Sequence, residues 1–92
     1  MRNRGKANKR DANEPEIIAA LEKIGCSVYK IDEPADLLVG YRALCFLLEV
    51  KTLTGKQTKE QVEFAMSWRG QYRIVRTPEE AIQLVTQAYK PA

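Results

Sequence analysis

The chain has 92 residues, 45% hydrophobic and 29% charged, with a formal net charge of +3. That length gives one compact domain, and the balance places it with soluble globular proteins, away from the disordered and membrane-spanning classes. It has no histidine, which excludes Ser-His-Asp and Cys-His mechanisms and histidine-ligated zinc.

A domain this small buries a modest share of its chain, so a homodimer is expected on stability grounds alone. No apolar run reaches membrane-spanning length, and the N-terminus lacks the apolar segment of a secretory signal, so a cytosolic location is expected. Cys26 and Cys45 lie in apolar stretches without a CxxC partner and read as two reduced, partly buried thiols.

Residues 1–11 form a basic arm in which Arg2, Arg4, Lys6, Lys9 and Arg10 precede the first acid, Asp11; the rest of the chain is slightly acidic. Such an arm is either a solvated tail or a set of phosphate contacts acting through counterion release. Residues 12–92 read as the single folded domain.

Asn13, Pro15 and the stripe Ile17, Ile18, Leu21 and Ile24 predict a capped amphipathic helix that stops near Gly25. Helical spacing puts Glu14 on the apolar side and Glu16 on the solvent side. Cys26 to Ile31 predicts a short strand, and a turn containing Pro34 leads into a second strand, Asp36 to Tyr41. A hairpin turn is predicted over Gly40 to Ala43. Leu44 to Thr52 is apolar until Glu49, as expected of a central strand covered on both faces.

Thr58 and Gln61 form a capping pattern for a second helix, with Val62, Ala65, Met66 and Trp68 as its apolar side. Trp68 and Phe64, four apart, read as core or dimer interface in preference to a base-stacking platform. Tyr72 to Arg76 is the last strand. Thr77, Pro78, Glu79 and Glu80 make a capping box for a final helix carrying Ile82, Val85 and Tyr89. The order αβββαβα predicts an α/β fold, a mixed sheet flanked by helices with a right-handed crossover into the last strand.

Without histidine, any metal must be held by oxygen, and oxygen ligands suit Mg²⁺ or Mn²⁺, ions that neutralise charge on a phosphate undergoing displacement. Strand alternation places Glu49 and Lys51 on one face with the Val50 carbonyl beside them. Asp36, opening the preceding strand of a tight hairpin, faces that end. The charges assign Asp36 and Glu49 to a cation and Lys51 to orienting water or offsetting developing charge, with Glu14 positioning a second ion or a water. Each residue alone also reads blandly: a turn acid, a solvated strand end, an acid favoured at a helix start. Their conjunction is the restrictive feature. Gly55 and Lys56 do not make a phosphate-binding P-loop, because the upstream glycine and the following Ser or Thr are missing.

Asp36 with Glu49, Val50 and Lys51, behind a helix bearing Glu14, resembles the PD-(D/E)XK nuclease superfamily. Within it, DLLVGYRALCFLLEVKTLTGKQTKEQVEF followed by IVRTPEEAIQLV is most similar to the virus-type replication-repair nuclease (VRR-NUC) domain in its short stand-alone phage form. The helix EPEIIAALEKIG also resembles archaeal Holliday-junction resolvases. The resemblance implies a restriction-endonuclease-like fold and an endonuclease using Mg²⁺ or Mn²⁺ on branched DNA such as Holliday junctions. It also implies the cytoplasm of a bacterial host. It makes Asp36, Glu49 and the Val50 carbonyl metal ligands, Lys51 the catalytic lysine, Glu14 the first-helix acid and Gln61 an auxiliary helix residue. Ala35 departs from the family pattern, which has Pro directly before the metal Asp; here Pro34 comes one step earlier. Lys56 and Lys59 flank the site and suit backbone phosphates. A catalytically inactive nucleic-acid-binding module on the same fold is the alternative, and a protein-interaction domain a third reading.

Overall fold

Pro15 presets φ for a first helical turn, and Glu14 and Glu16 favour the positive end of the helix dipole, so the chain enters α1 (Glu14–Lys23) immediately after Asn13. Ile17 and Leu21 are fully buried; Glu14 is buried with them, at 2% exposure, while Glu16 is exposed. The computed structural model describes residues 11–91. The positions Arg2, Arg4, Lys6, Lys9 and Arg10, singled out for phosphate contacts, lie outside the described residues. Gly25 follows the helix with φ of 99°, a left-handed conformation that glycine adopts without a Cβ penalty.

Four strands follow the expected order: β1 (Ser27–Lys30), β2 (Leu37–Tyr41), β3 (Leu44–Val50) and, after helix α2 (Lys59–Ser67), β4 (Tyr72–Val75). They form one sheet in the order β1-β2-β3-β4. The first three are antiparallel, and β4 runs parallel to β3 across the α2 crossover. Helix α3 (Pro78–Ala88) closes the αβββαβα pattern. Among the described residues no helix is long and apolar enough to cross a membrane.

The hairpin turn is tighter than expected. Gly40 pairs with Cys45 and Tyr41 with Leu44, leaving Arg42 and Ala43 as the whole loop. Their φ values of 48° and 72° are positive, the twist a two-residue hairpin demands, although neither is glycine. The Arg42 guanidinium lies over the Tyr41 ring at 5.5 Å and the Tyr89 ring at 5.0 Å, a contact that helps offset the strained backbone.

One face of the sheet carries the main core. Leu37, Val39, Phe46, Leu48, Val50 and Val75 pack there against Ile17 and Leu21 of α1 and Ala81 and Val85 of α3. The other face carries a smaller cluster, Ala35, Leu47 and Tyr72, with Ile31 and Phe64 against it. Helix α2 covers this second face thinly, and of the apolar side expected for it Val62, Ala65 and Met66 stay exposed while Trp68 turns toward the sheet. No residue of α2 is buried, and Met66 is 82% exposed. Two stripes compete on this helix: Val62, Ala65 and Met66 on one side, and Gln61, Phe64 and the C-cap Trp68 on another. The second turns inward, with Phe64 edge-on to Tyr72 at 5.1 Å and stacked on Trp68 at 5.3 Å. Cys26 is buried as read, but Cys45 is exposed, because it alternates with Phe46 onto the thinly covered face.

The caps divide similarly. Thr58 and Gln61 form the full capping box of α2. At α3, Thr77 accepts from the Glu80 amide at 3.1 Å, while the Glu80 carboxylate reaches one residue further back, to the Arg76 amide at 2.7 Å. Asn13 makes no side-chain cap bond. Its side-chain nitrogen donates instead to the carbonyls of Lys51, at 3.0 Å, and Arg76, at 2.8 Å. Those carbonyls leave the ends of β3 and β4, past the ladder, and require donors.

Candidate active site

Continuing the β2–β3 register one step beyond Leu37 and Leu48 sets Asp36 opposite Glu49. The Asp36 amide still donates to the Leu48 carbonyl, at 3.1 Å, so the ladder holds at this point. Side-chain alternation then sends Asp36 and Glu49 to the α2 face, away from the main core. Both are buried, at 7% and 6% exposure. Ala35, in the place where the family pattern has Pro, is buried in the cluster below them.

Backbone and side chains fix both acids. Asp36 Oδ2 accepts from the Val50 amide at 2.9 Å, which draws its carboxylate against the Glu49–Val50–Lys51 backbone. Glu49 Oε2 accepts from Gln61 Nε2 at 2.8 Å and lies 3.8 Å from Lys51 Nζ. The Gln61 amide has two tasks. Its Oε1 accepts from the Thr58 amide at 2.9 Å, and its nitrogen holds Glu49. Only one orientation of the amide satisfies a donor on one side and a carboxylate on the other.

The loop leaving Lys51 is also held. Arg76 Nη1 donates to the carbonyls of Thr52, at 2.6 Å, and Gly55, at 2.8 Å. With Asn13 on the Lys51 carbonyl, this ties the β3 exit to α1 and β4 at the ends of the two parallel strands. An open cavity of about 350 Å³ abuts the acids, lined by Glu33, Pro34, Glu49, Thr58, Gln61 and Phe64. Lys56 and Lys59 are exposed, Lys56 in the exit loop and Lys59 at the start of α2.

Two carboxylates on neighbouring strands and the intervening Val50 carbonyl are hard oxygen donors of the kind Mg²⁺ and Mn²⁺ take together with water. Buried acids placed side by side are desolvated and repel, and a cation relieves both penalties. Among the described residues no three Asp, Glu or Cys side chains form one group. Glu14 is buried on α1, at 2% exposure, and carries an interaction within the fold.

Replacing Gln61 by Glu separates its two tasks. A Glu side chain still caps the Thr58 amide, but it sets a carboxylate against Glu49 where an amide donor stood. The expected result is a lowered thermal midpoint without metal, from the added repulsion, together with about a tenfold tighter response to Mn²⁺, which relieves it, followed by calorimetry. An unchanged Mn²⁺ titration would show that Gln61 is a helix cap and nothing more.

Sequence reasoning did not single out Asn13 as a cross-link, Arg76 as a loop clamp or Tyr72 as a neighbour of the acids. Asn13 carried a competing and ordinary reading as a cap. Arg76 and Tyr72 have no local pattern at all, since their partners are far away in the chain.

No family model matches the chain, and no curated protein matches it in sequence. A solved structure described as a VRR_NUC domain superposes with a TM-score of 0.66 at 22% identity, covering 86% of this chain and 100% of that one. The chain has the VRR_NUC domain fold, the fold that the resemblance in its sequence implies.

Proposed function

We propose that this VRR_NUC-fold chain is a Mg²⁺- or Mn²⁺-dependent endodeoxyribonuclease that acts on branched DNA, four-way junctions among them, as a homodimer. The observation that carries the reading is the buried pair Asp36 and Glu49, with Lys51 3.8 Å from Glu49 and Gln61 bonded to it at 2.8 Å. Asp36, Glu49 and the Val50 carbonyl hold the divalent ion, which neutralises charge on the scissile phosphate when bound. Lys51 orients the attacking water and offsets the charge that develops on the phosphate oxygens. The water oxygen bonds to phosphorus as it gives up a proton to solvent, and the bond to the leaving sugar oxygen breaks as that oxygen takes up a proton from solvent. Glu14, buried on α1, contributes by placing water or a second ion beside the acid pair.

Lys56 and Lys59, exposed beside the site, and the basic arm supply phosphate contacts that place DNA without reading its sequence. Pairing of two copies is supported by an uncovered apolar groove of about 480 Å³ lined by Ile31, Pro34, Leu38, Cys45, Leu47 and Trp68. Leu38 and Trp68 are 41% and 44% exposed there, an unusual degree for large apolar side chains that lie together. A two-fold pair presents two centres to the two strands a junction resolvase must cut.

Cleavage of duplex, single-stranded, flap, fork and four-way-junction DNA, with Mg²⁺, with Mn²⁺ and with chelator, tests the proposal. Chelator-sensitive cutting that favours branched substrates is expected, from a species of twice the monomer mass by light scattering that Trp68→Ala shifts toward monomer. Salt-sensitive DNA binding with no cleavage under either ion would make the chain a nucleic-acid-binding module instead.

A further inference from the structure

Tyr72 opens β4 as the in-register partner of Leu47, two residues before Glu49 on the same face of the sheet. Its ring is packed by Ala35, Leu47 and Phe64, and the residue is more than nine-tenths buried. Its hydroxyl, also buried, has no hydrogen-bond partner among the described residues. Burial raises its pKa first of all, and the charges of Glu49 and Asp36 raise it further. The Gln57 side chain draws the pKa the other way but does not meet hydrogen-bond geometry. A buried tyrosine hydroxyl without a partner in the fold is costly, and natural interiors rarely keep one without a use. Phenylalanine would fill the same space without that penalty.

We propose that Tyr72 is a positioning residue whose hydroxyl donates to a water held against Glu49 and Asp36, fixing the hydration of the divalent cation at that pair. This rests on the cation-site reading above. The hydroxyl is an uncharged donor, so it orders solvent without competing with the cation for charge. Its stiff ring, clamped between Phe64 and the sheet, holds the donor in place at little entropic cost.

The test compares wild type, Tyr72→Phe and Asp36→Asn in the full chain. Mn²⁺ alone is titrated by calorimetry, and the fluorescence of the single tryptophan, Trp68, which stacks on Phe64 next to Tyr72, provides a second readout. Tyr72→Phe is expected to leave the thermal midpoint unchanged or raise it, and to weaken Mn²⁺ binding by about three- to tenfold, the size of one hydrogen bond. It should lower kcat on DNA about tenfold with KM unchanged. Wild-type Mn²⁺ affinity and kcat in Tyr72→Phe, with Asp36→Asn impaired, would overturn the Tyr72 proposal alone. So would a clear fall in its thermal midpoint, which would mean that the hydroxyl is bonded within the fold. If wild type binds no Mn²⁺, the cation-site reading falls and Tyr72 with it.

Discussion

Asp36→Asn is expected to lower DNA cleavage by about a thousandfold or more while leaving the fold intact. The loss follows from removing one of two carboxylates that share the cation, a change of several kcal/mol in transition-state stabilisation, where each ~1.4 kcal/mol is a factor of ten. The fold survives because the asparagine side-chain oxygen can still accept from the Val50 amide, the bond that Asp36 Oδ2 makes at 2.9 Å. Lys51→Ala is expected to cost about a hundred- to a thousandfold, the scale of deleting one group aimed at developing charge. Lys51 is only part-buried, so its removal should leave the midpoint of unfolding close to wild type. Initial rates on a four-way junction at saturating Mg²⁺, with circular dichroism as the control for folding, check both. Cleavage at wild-type rates by both variants would dismiss the assigned centre.

Phe46→Ala is expected to destabilise the domain by about 3–5 kcal/mol, by lost transfer energy and the cavity left behind. Phe46 is 1% exposed, the largest of the fully buried side chains, at the middle of β3 and between the two helices that cover the main core. Domains have only ~5–15 kcal/mol in total, and one this small lies at the lower end. The variant should therefore be largely unfolded near physiological temperature. Met66→Ala, on the outward stripe of α2, should stay within about 0.5 kcal/mol of wild type. Urea midpoints for the two variants give the comparison, and a Phe46→Ala midpoint close to that of Met66→Ala would contradict the assigned core.

Element order and the inward acid were legible because they rest on local periodicity. The run from Leu44 to Val50 and the inward setting of Glu14 both follow from spacing alone. The capping box of Thr58 and Gln61 is likewise a local pattern, and it formed as such. The inward side of α2 was not legible. Its sequence offers two apolar stripes of similar strength, and the choice fell to Tyr72 on a strand that comes later in the chain. Cys45 was misread for a related reason: an apolar neighbourhood in sequence does not reveal which face of the sheet is left thinly covered.

The sequence by itself determined the chemistry available: no imidazole, hard oxygen donors, a lysine two residues from an acid, and strand alternation to set them on one face. Those are properties of residue types and of short-range geometry. Tertiary structure alone decided how Asp36 and Glu49 are held, since the clamps come from the Val50 amide and Gln61, and how the Lys51 loop is pinned, by Asn13 and Arg76. It also buried the Tyr72 ring beside Leu47, on the face of the sheet that carries the acids. Such contacts join residues tens of positions apart, and their partners exist only once the sheet and the crossover helix have closed.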